Sequence, residues 1–440
     1  MSTNFIFKRL LAVGAGLILS LQACAGPVIQ HWQTAGGSEV YFVENHDLPM
    51  IDISVSFSAG SARDEKAKSG LAGVTRYMLL LGAAGMSDEQ ISQRMADVGA
   101  VLGGDVDADR ASLKLRTLSS ARERDQALDV FSKILQQPDF PDAVLEREKA
   151  RIVAGLKEAA TQPESISSKA FMAALYGSHP YALDESGEPE TVTALKREDL
   201  QDFYHSYYGA QGAVIALMGD LSRSAAEQLA ERLSGGLSKV PAPNTLPAVV
   251  YPDQPKVQHI AHPATQAHIL LGYPGIKRGD PDYFPLYVGN YVLGGGGFVS
   301  RLTEEVREKH GLAYSVYSYF VPMAQLGPFQ VGLQTKRNQA DKSLKLVLET
   351  LDKFIEKGPT ATELKEAKQN IIGGFPLRID SNAKIIDYLA VIGFYHLPLT
   401  YLDDFNKQIG KVTTAQVKDA FARRLNLNKM VTVIVGADTK

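Results

Sequence analysis

Leu113-Lys114-Leu115-Arg116-Thr117 and Val331-Gly332-Leu333-Gln334-Thr335 are the two stretches whose comparison decides the fold. Each reads as a strand followed by an amphipathic helix, Ala127 to Leu135 after the first and Ser343 to Ile355 after the second, and their threonines lie 218 positions apart. The same spacing returns in two further places. Glu148, in the charged helix that starts Glu146-Arg147-Glu148, corresponds to Glu366 in Glu363-Leu364-Lys365-Glu366. Val214-Ile215-Ala216-Leu217-Met218-Gly219-Asp220 corresponds to Val431-Thr432-Val433-Ile434-Val435-Gly436-Ala437, with the glycines 217 apart. The chain is therefore an internal duplication.

Working outward, strand-like runs at Ile51 to Phe57, Ala111 to Arg116 and Ala213 to Met218 recur as His268 to Tyr273, Phe329 to Leu333 and Met430 to Val435, separated by helical patterns. This predicts an α+β fold of two homologous domains, each a largely antiparallel sheet packed on helices. Ile51-Asp52-Ile53-Ser54-Val55-Ser56-Phe57 alternates apolar and polar residues. That alternation predicts one face on helices and one face open, lining a cavity between the halves. Gly235 to Pro255, rich in Gly, Pro and Ser with no apolar period, reads as the linker. The expected domains are 26–245 and 246–440.

With 440 residues and 45% hydrophobic content the chain can bury large cores. A formal charge of -3 gives no bulk electrostatic pull toward nucleic acid or anionic membrane. Lys8 and Arg9, the apolar run Leu10 to Leu21 and the small residues Ala23-Cys24-Ala25 read as a bacterial secretory signal over residues 1–25, placing the mature protein in the periplasm or outside the cell. Leu21-Gln22-Ala23-Cys24 is also readable as a lipoprotein signal, against which Gln22 argues, so a mature start near Gly26 is preferred. No later segment reaches membrane-spanning length. Cys24 is the only cysteine, which excludes disulfides and cysteine nucleophiles from the mature body.

Ser69-Gly70-Leu71-Ala72-Gly73-Val74-Thr75-Arg76-Tyr77-Met78 resembles the signature helix of the pitrilysin or insulinase zinc peptidases, whose pattern is G-L-A-H-x-x-E-H-M, and the likeness runs from about Gln30 to Ala437. In that family two histidines four apart on one helix face bind zinc, and the glutamate between them activates the water. Here Gly73 stands for the first histidine, Arg76 for the glutamate and Tyr77 for the second histidine, while Gly155 falls at the third ligand, a glutamate downstream. Glycine offers no ligand, arginine accepts no proton, and a tyrosine with an ordinary pKa near 10 is a poor zinc donor at neutral pH. The resemblance thus implies a chain that binds no metal of its own.

The second half keeps Arg307 and Tyr314 at the seven-residue spacing of the arginine and tyrosine that, in the family, project toward the zinc and hold the substrate carbonyl. Both are donors suited to an oxyanion. Without the resemblance, they read as a solvated helix residue and an ordinary strand aromatic. Gly294, Gly295, Gly296 and Gly297 are no phosphate loop, since no Gly-Lys-Ser/Thr follows. They read as a helix-ending turn or, as the resemblance to the mitochondrial processing peptidase suggests, a flexible substrate-contacting loop. His259 and His262 fall on opposite faces of a strand, so with His268 they make a doubtful metal site. His179-Pro180-Tyr181 reads as a structural turn, and Gly373-Gly374-Phe375-Pro376-Leu377-Arg378 breaks a helix without a catalytic role.

The expected function is that of the non-catalytic half of a clamshell peptidase. A partner of the insulinase family with an intact H-x-x-E-H supplies zinc and base, and this chain supplies Arg307, Tyr314, the glycine run and part of the chamber around a peptide substrate. A purely structural subunit and an active peptidase with a relocated metal site are the alternatives.

Overall fold

In a computed structural model, residues 27–437 are described; the secretory signal expected over residues 1–25 lies outside them. A six-stranded sheet orders its strands β1 (Gln30–Gln33), β2 (Glu39–Glu44), β8 (Val214–Gly219), β3 (Met50–Phe57), β7 (Ala111–Leu118) and β6 (Val101–Gly103). A five-stranded sheet runs β11 (Ala313–Phe320), β12 (Pro328–Lys336), β10 (Gln266–Pro274), β13 (Val431–Val435) and β9 (Lys256–Ile260), and a two-residue ribbon pairs β4 (Gly82–Ala83) with β5 (Met86–Ser87). Read from the other edge, the second sheet repeats the order β2-β8-β3-β7-β6 as β9-β13-β10-β12-β11. The one parallel pairing of each, β2 with β8 and β9 with β13, falls at the same place.

The repeat seen in the sequence is a repeat of register. Thr117 faces Ile51 across β3–β7 and Thr335 faces Ala267 across β10–β12, and both threonines are buried. Gly219 and Gly436 have φ of +129° and +81°, where a side chain is strained. A β-carbon there would run into the carbonyl oxygens of Met50 and Gln266, at equivalent places in the two sheets.

Five helices position the site: α1 (Leu71–Met78), α2 (Asp142–Ala159), α3 (Pro163–Tyr176), α4 (Tyr283–Asn290) and α5 (Asn382–Phe394). One face of each sheet packs on helices of its own half, with Ile51, Ile53, Val55 and Phe57 joining Phe131 and Ile134 in the first core, and Ile269 and Leu271 joining Val347 and Leu351 in the second. The other face is not open. Helix α3 leaves the first half to lie on β10 and β13, and α5, its equivalent one repeat later, leaves the second half to lie on β8, β3 and β2. Phe171, Leu175 and Tyr176 pack there with Leu270, Val433 and Val435, and Tyr41, Val214, Ala216 and Met218 share a core with Leu389 and Ala390. The expectation of a solvated face fails because Asp52, Ser54 and Ser56 are buried beneath a helix from the other half. Small serines let that helix approach, and Asp52 accepts a hydrogen bond from Arg116 Nε at 2.8 Å.

The linker has no regular structure from Val240 to Tyr251 but is strapped down. Arg63 donates to the Asn244 carbonyl at 2.7 Å, His179 Nε2 lies 2.9 Å from the Pro247 carbonyl, and Val249 is buried.

The exchange depends on small residues where helix meets sheet. A β-carbon on Gly393 would lie 2.5 Å from Val214 Cγ1 and 2.7 Å from the Tyr41 ring. Gly393→Val should therefore destabilise the protein by about 1–3 kcal/mol through overpacking. Gly155→Ala, in an exposed helix interior with nothing within 4 Å of the added carbon, should stabilise it by roughly 0.5–1 kcal/mol. Denaturant unfolding midpoints check both.

Candidate functional site

Helix α1 is held at its start by a buried acid. Asp64 accepts the backbone N–H of Gly70 at 2.8 Å and of Ala72 at 2.9 Å, satisfying donors that the helix itself leaves orphaned. Its own burial outweighs those hydrogen bonds and pushes its carboxyl up to about 7. Because the folded value lies above the ordinary carboxylate value, the fold favours the protonated acid. That contribution is complete below about pH 4 and is lost as pH rises through 7, at up to roughly 1.4 kcal/mol per pH unit. Unfolding free energy measured from pH 4 to 8 should show this decline in the native protein and lose it in Asp64→Asn.

The positions of the signature motif come together, with other contents. At Gly73 an added β-carbon would lie 3.0 Å from the Glu185 carbonyl oxygen. The segment carrying that oxygen is pinned to the helix start: Ser69 Oγ donates to the Asp184 carbonyl at 3.2 Å, Thr191 Oγ1 donates to the Ser69 carbonyl at 2.7 Å, and Gly187 packs on Ser69 where no side chain fits. Arg76 turns inward and donates from Nε to the Ser112 carbonyl at 3.3 Å, with its other end against Gly104. Burial lowers its pKa, opposed by Tyr208, Asp105 and Tyr77. Tyr77 lies under the Arg151 guanidinium, 5.1 Å from ring centroid to Cζ, and Arg151 is paired with the buried Glu148 at 2.7 Å. Gly155, one turn on from Arg151 along α2, is exposed.

Zinc does not fit here. The four positions present two glycines, a guanidinium and a phenol, and among the described residues no group of three His, Cys, Asp or Glu side chains is placed to hold a metal. The room for the first imidazole is also roofed by residues 184–187. Restoring the ligands alone in a Gly73→His, Arg76→Glu, Tyr77→His, Gly155→Glu variant should leave the dialysed protein without stoichiometric zinc by metal analysis.

In the second half, α4 ends in a π-helical turn, Tyr291–Gly295, whose hydrogen bonds span one residue more than those of an α-helix. Gly294 packs on Ser318, a β-carbon on Gly295 would lie 2.8 Å from Asn290 Nδ2, and one on Gly296 would lie 2.6 Å from the Tyr291 carbonyl oxygen. Of the four glycines only Gly297 has positive φ, +62°. The turn thrusts Phe298 and Val299 outward, 71% and 74% exposed. Arg307 stacks over Phe298, Cζ 4.9 Å from the ring centroid, with Glu308 3.5 Å from Nε. Tyr314 is the bulged residue of β11, 57% exposed, beside Gln266 and Lys336.

His259 lies on β9, but that strand ends at Ile260, so strand periodicity does not place His262. A turn does, with Ala264 N–H donating to its Nδ1 at 3.1 Å and its Nε2 lying 3.0 Å from the Thr161 carbonyl. His268 sits on β10, where burial lowers its pKa. Tyr181 of the His179 turn donates to Asp109 Oδ1 at 2.5 Å, while Asp109 Oδ2 accepts from Tyr395 at 2.9 Å and from Ala324 N–H at 2.8 Å. This buried acid joins the halves, and no local pattern in the sequence announces it. Phe375, after Gly373 and Gly374, stacks on Phe405 at 4.6 Å.

Residues 40–186 match the insulinase family, peptidase family M16, and residues 194–371 match the peptidase M16 inactive domain. The crystal structure of a peptidase M16 inactive domain from Pseudomonas fluorescens superposes with a TM-score of 0.90 at 40% identity, over 93% of this chain and 98% of that one. A non-peptidase homolog, YmxG, from Helicobacter pylori is 28% identical over 98% of this chain and 99% of its own. An uncharacterized zinc protease, YmxG, from Bacillus subtilis is 25% identical over 81% and 86%. The chain belongs to the insulinase family, peptidase family M16. Within it, this is a member whose zinc-binding motif is gone.

Proposed function

We infer that the protein is the non-catalytic, substrate-positioning subunit of a heterodimeric zinc metallopeptidase acting on peptides in the periplasm. The observation that carries this reading is the asymmetry between its halves: the motif positions are closed over by Arg76 and residues 184–187, while Arg307 and Tyr314 remain near the surface. A partner of the same family with an intact H-x-x-E-H would bring the metal, whose chemistry is activation of the attacking water. Arg307 and Tyr314 would donate hydrogen bonds to the substrate carbonyl as it gains negative charge, and the leader at residues 1–25 would carry the chain to the partner's compartment.

Stacking of Arg307 on Phe298 and its contact with Glu308 favour a second reading, a purely structural subunit in which the arginine only steadies the turn. Co-expression with a family member carrying H-x-x-E-H, followed by purification of the pair, separates the two. Arg307→Ala and Tyr314→Phe should each lower kcat/KM for a peptide by about 10²-fold with assembly intact, the magnitude of losing an oxyanion donor. Unchanged cleavage would leave the structural reading.

A further inference from the structure

We propose that the second half carries a binding site for a monocarboxylate with an apolar body, centred on Arg278, Tyr283 and Tyr401. A cavity of about 320 Å³ opens between the Arg278–Pro281 loop, the start of α4, the Leu397–Pro398 turn and the helix Tyr401–Lys411. That volume is at the lower end of small-ligand pockets.

Arg278 on its wall has no carboxylate partner among the described residues; its guanidinium lies 5.2 Å from the Tyr395 ring centroid, and its buried Nε has no hydrogen-bond partner. The acids beside it are occupied elsewhere. Asp280 pairs with Arg424 at 2.8 Å and Asp404 with Lys407 at 3.2 Å. The hydroxyls of Tyr283 and Tyr401 hydrogen-bond to each other, and burial raises the pKa of both, so both stay protonated and the pair keeps one O–H free to donate. The remaining walls include Phe284, Leu397 and Pro398.

A guanidinium presents two parallel N–H bonds to a carboxylate, and the free hydroxyl proton of the Tyr283–Tyr401 pair can serve a further lone pair. One cation without a carboxylate partner, beside two acids already paired and the apolar Phe284, Leu397 and Pro398, suits a singly charged head with a ring or a short aliphatic body. A free carboxylic acid and the C-terminal residue of a peptide share that chemistry. The site involves none of the residues proposed to serve peptide cleavage, so it stands or falls independently of that reading.

Isothermal titration of the mature chain with benzoate, with Ala-Phe and with Ala-Phe amide tests it. Benzoate should bind if the ligand is a free acid, and Ala-Phe if it is a peptide terminus. In the second case the amide should bind at least about tenfold more weakly, since amidation removes the charge that the arginine reads. Arg278→Met should weaken the binding carboxylate by at least about tenfold while the thermal melt stays native; Tyr401→Phe is the milder variant if Arg278→Met fails to fold. No heat from either carboxylate, equal affinity for Ala-Phe and its amide without benzoate binding, or full affinity in the folded Arg278→Met and Tyr401→Phe proteins would overturn the proposal.

Discussion

Each sheet of this protein needs a helix from the opposite half to cover its second face, and the rest of the architecture follows from that exchange. Phe171, Leu175 and Tyr176 on one side and Leu389, Ala390 and Ile392 on the other are buried in cores that include strands of the other repeat. At about 1.5–3 kcal/mol for each large apolar side chain removed from water, pulling the halves apart would expose more than a marginally stable fold can spare. Asp109 adds a polar bond at the seam, tying Tyr181 of the first half to Tyr395 and the Ala324 N–H of the second. The two halves are therefore packed into one body, with buried apolar side chains and a buried acid shared across the seam.

The same constraint explains how a zinc motif can vanish while its helix persists. Leu71, Ala72, Val74 and Met78 of α1 are buried in the first core, so the helix is required by packing whatever its other face carries. The face that would hold metal has been rebuilt with local contacts. Arg76 binds the backbone of β7 and Tyr77 packs under Arg151, while residues 184–187 close over Gly73. These are stabilising interactions within one chain, where a zinc ion would need donors that are absent.

The fold was legible because the duplication repeats structural demands. Thr117 and Thr335 occupy one register, and Gly219 and Gly436 occupy one strand end where a β-carbon would meet a carbonyl. The loss of the zinc ligands was legible for a similar reason, since helix geometry fixes which positions must carry them. Burial of the alternating polar residues was not legible. Ser54 and Ser56 read as solvent-facing in any alternating strand, and only the arrival of α5, more than 300 residues later, covers them. Asp64 and Asp109 escaped notice because a single acid carries no periodic signal, and the partners of Asp109 come from Tyr181, Ala324 and Tyr395. His262 was misplaced because the end of β9 two residues earlier has no marker in the apolar pattern.

The glycine run supplies the last step. Gly294, Gly295 and Gly296 are small because their backbone is pressed against Ser318, Asn290 and Tyr291, while Gly297, the next residue, has open space around it. Beyond that run Phe298 and Val299 stand out in solvent, with Arg307 resting on the phenylalanine ring. Two adjacent large apolar side chains, each more than two-thirds exposed, gain nothing in the isolated chain, because burial is what stabilises such groups. Exposure of such a pair is offset when something else does the covering. That argument favours a partner or substrate at this end of the molecule over a role confined to the chain itself, and it rests on the two exposed apolar side chains rather than on the arginine alone.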